Sequence, residues 1–225
     1  MNVAPTVNRG ISLATIFAAK ARVPSLPIGH LARPERVAEL RAASMEYRLV
    51  EVIGAGLAGK TTLITEFARS LNPGSVVWYT VDEVDQTAHS VFEGLSAAVH
   101  GSIRSGDETF LLASIIEGMT GRANRAVLVL DEAHRSPAAG EVIGRLLRYL
   151  PAGVCLLVAG RKGAEAPAAL RRWLEDHAQI ATFGTEALRL SPEEHARFAA
   201  QSGADRGSWP VSYRPAGQAT LVAEL

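Results

Sequence analysis

Cysteine is nearly absent. Cys155 is the only one in 225 residues, so no internal disulfide can form and a cysteine-rich metal site is excluded. It falls in the apolar run Val154-Cys155-Leu156-Leu157-Val158, where it reads as a small buried hydrophobe rather than a nucleophile. Net charge is missing too. Basic and acidic side chains balance at 23 each, so no global field recruits nucleic acid or an anionic membrane. No stretch approaches the roughly 20 apolar residues that span a bilayer, and the N-terminus lacks the continuous apolar segment of a secretory signal. The cytoplasm is therefore the default expectation, with no membrane partner and no direct nucleic-acid contact from this segment. Lysine is the last scarcity. Lys20, Lys60 and Lys162 are the only lysines among the 23 basic residues, so a lysine inside a glycine-rich loop stands out.

What is present is ordinary for a globular chain: 48% apolar and 20% charged residues, over a length that fits one α/β domain and the start of another. Residues 1–32 read as a tail and lead-in, with Pro24 and Pro27 breaking any long helix. Pro34 can open a helix with Val37 and Leu40 on one face. Arg48–Ile53 reads as a strand running into glycine, and Thr62–Leu71 as a helix with Leu63, Ile64, Phe67, Ala68 and Leu71 at helical spacing. Asn72-Pro73-Gly74 is a turn.

The alternation then repeats. Ser75–Val81 is a β-branched and aromatic strand, and Thr87–His100 and Glu108–Thr120 are helices. Ala126–Leu130 has the wholly apolar character of a strand covered on both faces. Glu141–Leu150 is helical, Gly153–Ala159 is a second buried strand, Pro167–His177 is helical, and Ala187–Leu190 is the expected last strand. Strands separated by helices predict a parallel sheet of about five strands with helices on both faces. Ser191-Pro192-Glu193-Glu194 is a helix start with a capping box. The expected division is one α/β domain over 33–190 and the start of a small helical subdomain over 191–225.

The chemistry is concentrated in Gly54-Ala55-Gly56-Leu57-Ala58-Gly59-Lys60-Thr61-Thr62, which fits the P-loop pattern of glycine, four residues, then Gly-Lys-Ser/Thr, and makes 33–190 the expected P-loop NTPase domain. Glycines let the backbone curl so that N–H groups point at phosphate oxygens. The helix that follows presents its positive end to the same anion. Lys60 is the expected partner of the β- and γ-phosphates of ATP, and the Thr61 hydroxyl a ligand of Mg²⁺. Leu128-Val129-Leu130-Asp131-Glu132 supplies the carboxylate expected on a neighbouring buried strand. Asp131 is placed to hold Mg²⁺ through water and Glu132 to polarise the water that attacks the γ-phosphate. His134 reads as an exposed residue after that strand.

Strand Val154–Ala159 leads to Gly160-Arg161-Lys162, where Arg161 at the strand tip can touch the γ-phosphate and join Lys60 and Glu132 in catalysis. Arg33 and Arg36 precede the first strand and are candidate nucleotide contacts.

Together these residues resemble the signal-transduction ATPases with numerous domains, the STAND class, and within it the large LuxR-family transcriptional regulators of the maltose-activator type. The resemblance is carried by Leu31-Ala32-Arg33-Pro34-Glu35-Arg36, the P-loop, Val77-Trp78-Tyr79-Thr80-Val81-Asp82, the Asp131-Glu132 strand, Val158-Ala159-Gly160-Arg161 and Leu188-Arg189-Leu190-Ser191-Pro192-Glu193-Glu194. Near the end, Gly207-Ser208-Trp209-Pro210-Val211 looks like the family's Gly-Trp-Pro element, which implies that Pro210 lies near the adenine.

The resemblance implies a switch. ADP would hold a closed resting state, and ATP with an inducer would favour an open, self-associating one. Ser208 stands where the family has glycine, and Asp131-Glu132 differs from the double aspartate of the maltose-activator type. The family's winged-helix, sensor-repeat and DNA-binding domains are not in this sequence, so the expectation is a fragment of a regulator or a small relative. Two other classes compete: a nucleotide-stabilised scaffold with negligible turnover, and another P-loop enzyme. A GTPase would carry Asn-Lys-x-Asp, which is absent. A small-molecule kinase would need an arginine-rich lid, for which Arg171-Arg172 is the single candidate.

Overall fold

The computed structural model describes residues 13–202 apart from 73, 123 and 124. In chain order the elements are α1 (Leu13–Lys20), α2 (Pro34–Glu46), β1 (Leu49–Ile53), α3 (Lys60–Ser70), β2 (Val76–Thr80), α4 (Ala88–His100), α5 (Glu108–Thr120), β3 (Ala126–Asp131), a 3-10 turn (Ala133–Arg135), α6 (Ala139–Tyr149), β4 (Val154–Gly160), α7 (Ala168–Asp176), β5 (Ile180–Phe183), α8 (Thr185–Leu188) and α9 (Pro192–Ser202). Local chemistry sets many of the boundaries. Pro34 starts α2 at a position where its missing N–H costs nothing, whereas the Thr87–Ser90 capping box on α4 and Asp107 on α5 satisfy donors that a helix N-terminus leaves open.

The strands form one five-stranded, all-parallel sheet in the order β2-β3-β4-β1-β5. Alternate residues point to opposite faces. Val50, Val52, Val127, Val129, Cys155 and Leu157 pack against α2 and α3, while Leu49, Leu128, Leu130, Leu156 and Val158 pack against α4, α5 and α6. Strands β3 and β4 are buried along their whole length, as strands covered on both faces must be. Cys155 is fully buried, and burial pushes its thiol up to about 12, which makes it inert packing.

Four expectations are corrected. Residues 13–20 are not tail but helix α1, whose Lys20 reaches buried Asp85 at 2.6 Å. Residues Ala187–Leu190 do not form the last strand: Thr185–Leu188 is helix α8, and the fifth strand is Ile180–Phe183. That edge strand is only partly buried, so it carries no strong apolar signature. Leu188 is apolar because its Cδ1 packs against the first P-loop glycine, 2.7 Å from where a Gly54 side chain would begin. The strand of Asp131 is not the neighbour of the P-loop strand, since β4 lies between β3 and β1. His134 is half-buried rather than exposed, because the 3-10 turn folds it back towards Gly160.

Gly94 shows how closely the α4 face is fitted. A Cβ there would lie 2.1 Å from the Tyr79 phenolic oxygen, and Tyr79 donates to buried Asp85 Oδ1 at 2.8 Å, so the ring cannot yield. Gly94→Ala is expected to destabilise the fold by about 1–3 kcal/mol despite alanine's better helix propensity. The measurement is a lower urea midpoint at unchanged slope; an equal or higher midpoint would contradict the packing.

Candidate functional site

At the C-terminal end of β1 the chain turns through Gly54–Thr62 into the first turn of α3, and this loop is built on unusual backbone. Gly59, immediately before α3, sits at φ 79°, a region open to glycine without strain. Leu57 at the loop tip is also left-handed, at φ 60°. The loop is tied to the sheet by Gly54 N–H, which donates to Gly160 O at 3.2 Å. At Gly56 a Cβ would come within 3.1 Å of Arg161 Nη2, so the guanidinium lies directly over the loop.

Lys60 is buried, with 5% of its surface exposed, and its Nζ donates to Ala55 O at 2.8 Å. Burial lowers the lysine's pKa, and the Glu132 and Asp131 carboxylates partly restore it. Thr61 Oγ1 donates towards Asp131, 3.1 Å from Oδ2 and 3.3 Å from Oδ1. Asp131 is almost fully enclosed. Burial, with the nearby Glu132 charge, pushes its carboxyl up to about 6 against the hydrogen bonds it accepts from the Glu132 backbone and Thr61.

Glu132 stands at φ 55°, which a non-glycine residue adopts only when its surroundings demand it. Its Oε2 accepts from Arg135 Nε at 3.2 Å and lies 3.8 Å from His134 Nε2. Arg135 also bridges to Glu83 in the loop after β2. Burial lowers the His134 pKa, with Glu132 opposing.

These groups meet at one cavity of about 530 Å³, lined by Gly56–Thr62, Glu132, Arg135 and Arg161. Such a volume lies in the usual range for small-molecule sites, and the end of a parallel sheet is where they are found. The structure therefore brings Lys60, Thr61, Glu132 and Arg161 to one mouth, with Asp131 behind Thr61.

Two of the expected contacts are placed otherwise. The guanidinium of Arg33, expected at the nucleotide, is buried and committed to Glu194 and the carbonyls of Leu188 and Arg189. Arg36 pairs with Glu39 at 2.7 Å on the helix surface. Pro210 lies outside the described residues. Sequence reasoning missed Pro27–His30 and Phe198, which line the same cavity, because no spacing rule links residues so far apart. It also missed Arg135, whose position three residues after Glu132 was the available signal.

A P-loop on the first strand, a carboxylate pair at the end of a buried strand and a five-stranded parallel sheet define a P-loop ATPase domain. Residues 44–167, more than half of the chain, match the AAA domain family, and the chain belongs to it. It is an AAA-type P-loop ATPase domain. No curated protein matches the sequence.

Among solved structures, a chain of the Drosophila ORC bound to DNA is similar at 14% identity and a TM-score of 0.50, over 92% of this chain and 55% of that one. A Walker-type ATPase of Pyrococcus abyssi shows 12% identity and a TM-score of 0.48, over 80% of this chain and 60% of that one. At such identities the first likeness speaks for the fold alone. Among the described residues no helix is long and apolar enough to cross a membrane.

Proposed function

We propose that this chain is a Mg²⁺-dependent ATP-binding and ATP-hydrolysing switch domain of a cytoplasmic signal-transduction or transcriptional regulator, with NTPase residues 33–190 and a helical subdomain that begins at 191. The observation that carries this reading is the convergence of Lys60, Thr61–Asp131 and Glu132 on one cavity from the β1–α3 loop and the end of β3. Lys60 would exchange its bond to Ala55 O for phosphate oxygens, which suits a buried ammonium that forms no ion pair among the described residues. The backbone of Gly54–Thr62 would cradle the phosphates.

The donor set fits Mg²⁺. A hydroxyl and a carboxylate lie 3.1 Å apart, and a carboxyl pushed up to about 6 is favoured as the anion when a cation faces it. Thr61 and Asp131 would hold the ion, and when bound it would neutralise phosphate charge. Glu132 would take the proton of the attacking water, and Arg161 would lie beside the γ-phosphate. Pro210 is assigned to the adenine side on the family resemblance.

Arg135 holds Glu132 Oε2 in this arrangement, which supports slow or regulated turnover and equally favours the second reading, a nucleotide-stabilised scaffold that self-associates or binds a partner protein. The test is ATP hydrolysis by the purified chain with Mg²⁺ and with chelator, beside ATP binding by Lys60→Ala. Turnover only with Mg²⁺ is expected, and an affinity loss on the order of 10²–10³-fold in the variant, from charge-assisted contacts to two phosphates. Full affinity in Lys60→Ala would remove the loop as the phosphate site, whereas tight binding without turnover would select the scaffold.

A further inference from the structure

Two segments far apart in sequence line the same cavity as the P-loop: Pro27–His30 of the lead-in and Phe198 of α9. One residue joins them. Arg33, just after the lead-in, donates from Nε to Glu194 Oε1 at 2.9 Å and from Nη2 to Glu194 Oε2 at 3.2 Å, and Glu194 sits in the first turn of α9. Both side chains are buried, at 7% and 4% exposure. The remaining guanidinium donors reach Leu188 O at 3.0 Å and Arg189 O at 2.8 Å, on the segment that leads into α9.

Glu194 has a second task. Its Oε2 accepts from Ser191 N at 2.8 Å while its own N–H donates to Ser191 Oγ at 3.2 Å, which closes the capping box of α9. The Arg33 backbone N–H in turn donates to the Glu66 carboxylate at 3.1 Å, and Glu66 belongs to α3, the helix that begins with Lys60. A continuous chain of charge-assisted bonds thus runs from the P-loop helix through Arg33 to α9.

We propose that Arg33 is a positioning residue that sets the nucleoside end of the cavity by clamping the lead-in, the start of α9 and the P-loop helix together. It acts on the ligand through Pro27–His30 and Phe198 without touching it. The proposal rests on the reading of this cavity as the nucleotide site. Its consequence is a division of labour: the P-loop holds the phosphates whether or not the clamp is intact, while retention of the nucleoside depends on it.

The test compares ADP with inorganic tripolyphosphate, which engages the phosphate loop and lacks a nucleoside. Arg33→Lys keeps the charge but loses the two-pronged geometry. Glu194→Gln keeps the shape and the capping oxygen but removes the carboxylate, so it carries the test alone should Arg33→Lys fail to fold. Each variant is expected to release ADP roughly tenfold faster, with tripolyphosphate affinity within about twofold of wild type, and the double variant no faster than the worse single one.

ADP release unchanged in both variants overturns the clamp. So does a loss of ADP and tripolyphosphate affinity together, which would mean general damage to the fold. A defect in Arg33→Lys with none in Glu194→Gln overturns it as well, in favour of direct contact between Arg33 and nucleotide. Wild-type protein that binds neither ligand overturns the nucleotide-site reading itself, and the clamp with it.

Discussion

Glu132→Gln is expected to slow ATP turnover by roughly 10²–10⁴-fold while ATP affinity stays within about twofold, the usual span for loss of a positioned general base. The glutamine amide matches the carboxylate in shape but cannot accept a proton from water at neutral pH. The backbone at this position is held at φ 55°, and glutamine adopts it as readily as glutamate does, so the loop geometry survives the change. Lys60, Thr61 and Asp131, the candidate phosphate and Mg²⁺ partners, keep the hydrogen bonds they make to Ala55 O and to one another. The measurement is single-turnover hydrolysis beside equilibrium ATP binding; a variant that hydrolyses at the wild-type rate would strip Glu132 of its role.

Asp85→Ala is expected to destabilise the fold by about 3–5 kcal/mol, because it leaves a buried ammonium and a buried phenol short of their partner. Asp85 is 1% exposed. It accepts from Lys20 Nζ at 2.6 Å, from Tyr79 OH at 2.8 Å and from Asp82 N–H at 3.0 Å. Lys20 is itself buried and lies 4.9 Å from the centre of the Tyr79 ring. Asp82, 2.9 Å from Lys20, softens the loss without replacing the phenol's acceptor. Urea unfolding of the variant beside Asp85→Asn measures the effect, and a midpoint equal to wild type would show that the cluster contributes nothing.

Most of the sheet was legible because each strand advertises its own environment. Leu128-Val129-Leu130 and Leu156-Leu157-Val158 are apolar at every position, and a strand covered on both faces has no use for polar residues. The P-loop was legible for a related reason: a tight turn with left-handed backbone at Leu57 and Gly59 admits few residue types, and they are consecutive in the chain. Strand Ile180–Phe183 was not legible. It lies at an edge, only partly covered, and its neighbours Leu188 and Leu190, buried under other elements, gave a stronger apolar signal than the strand did. Helix α1 escaped for the opposite reason, since Phe17 packs on a core built from distant elements and Lys20 meets its carboxylates 62 and 65 residues away.

By itself, then, the sequence determined the α/β class, the parallel sheet, the phosphate loop and the carboxylate pair, because each is encoded by residues adjacent in the chain or repeating at short periods. The tertiary structure decided the insertion of β4 between β1 and β3, the withdrawal of Arg33 into a buried pair with Glu194 and the gathering of Pro27–His30, Arg135 and Phe198 around the P-loop cavity. Strand order and the partners of long charged side chains depend on which surfaces meet after collapse. A local pattern shows that a residue will be buried or charged, but not what it will face.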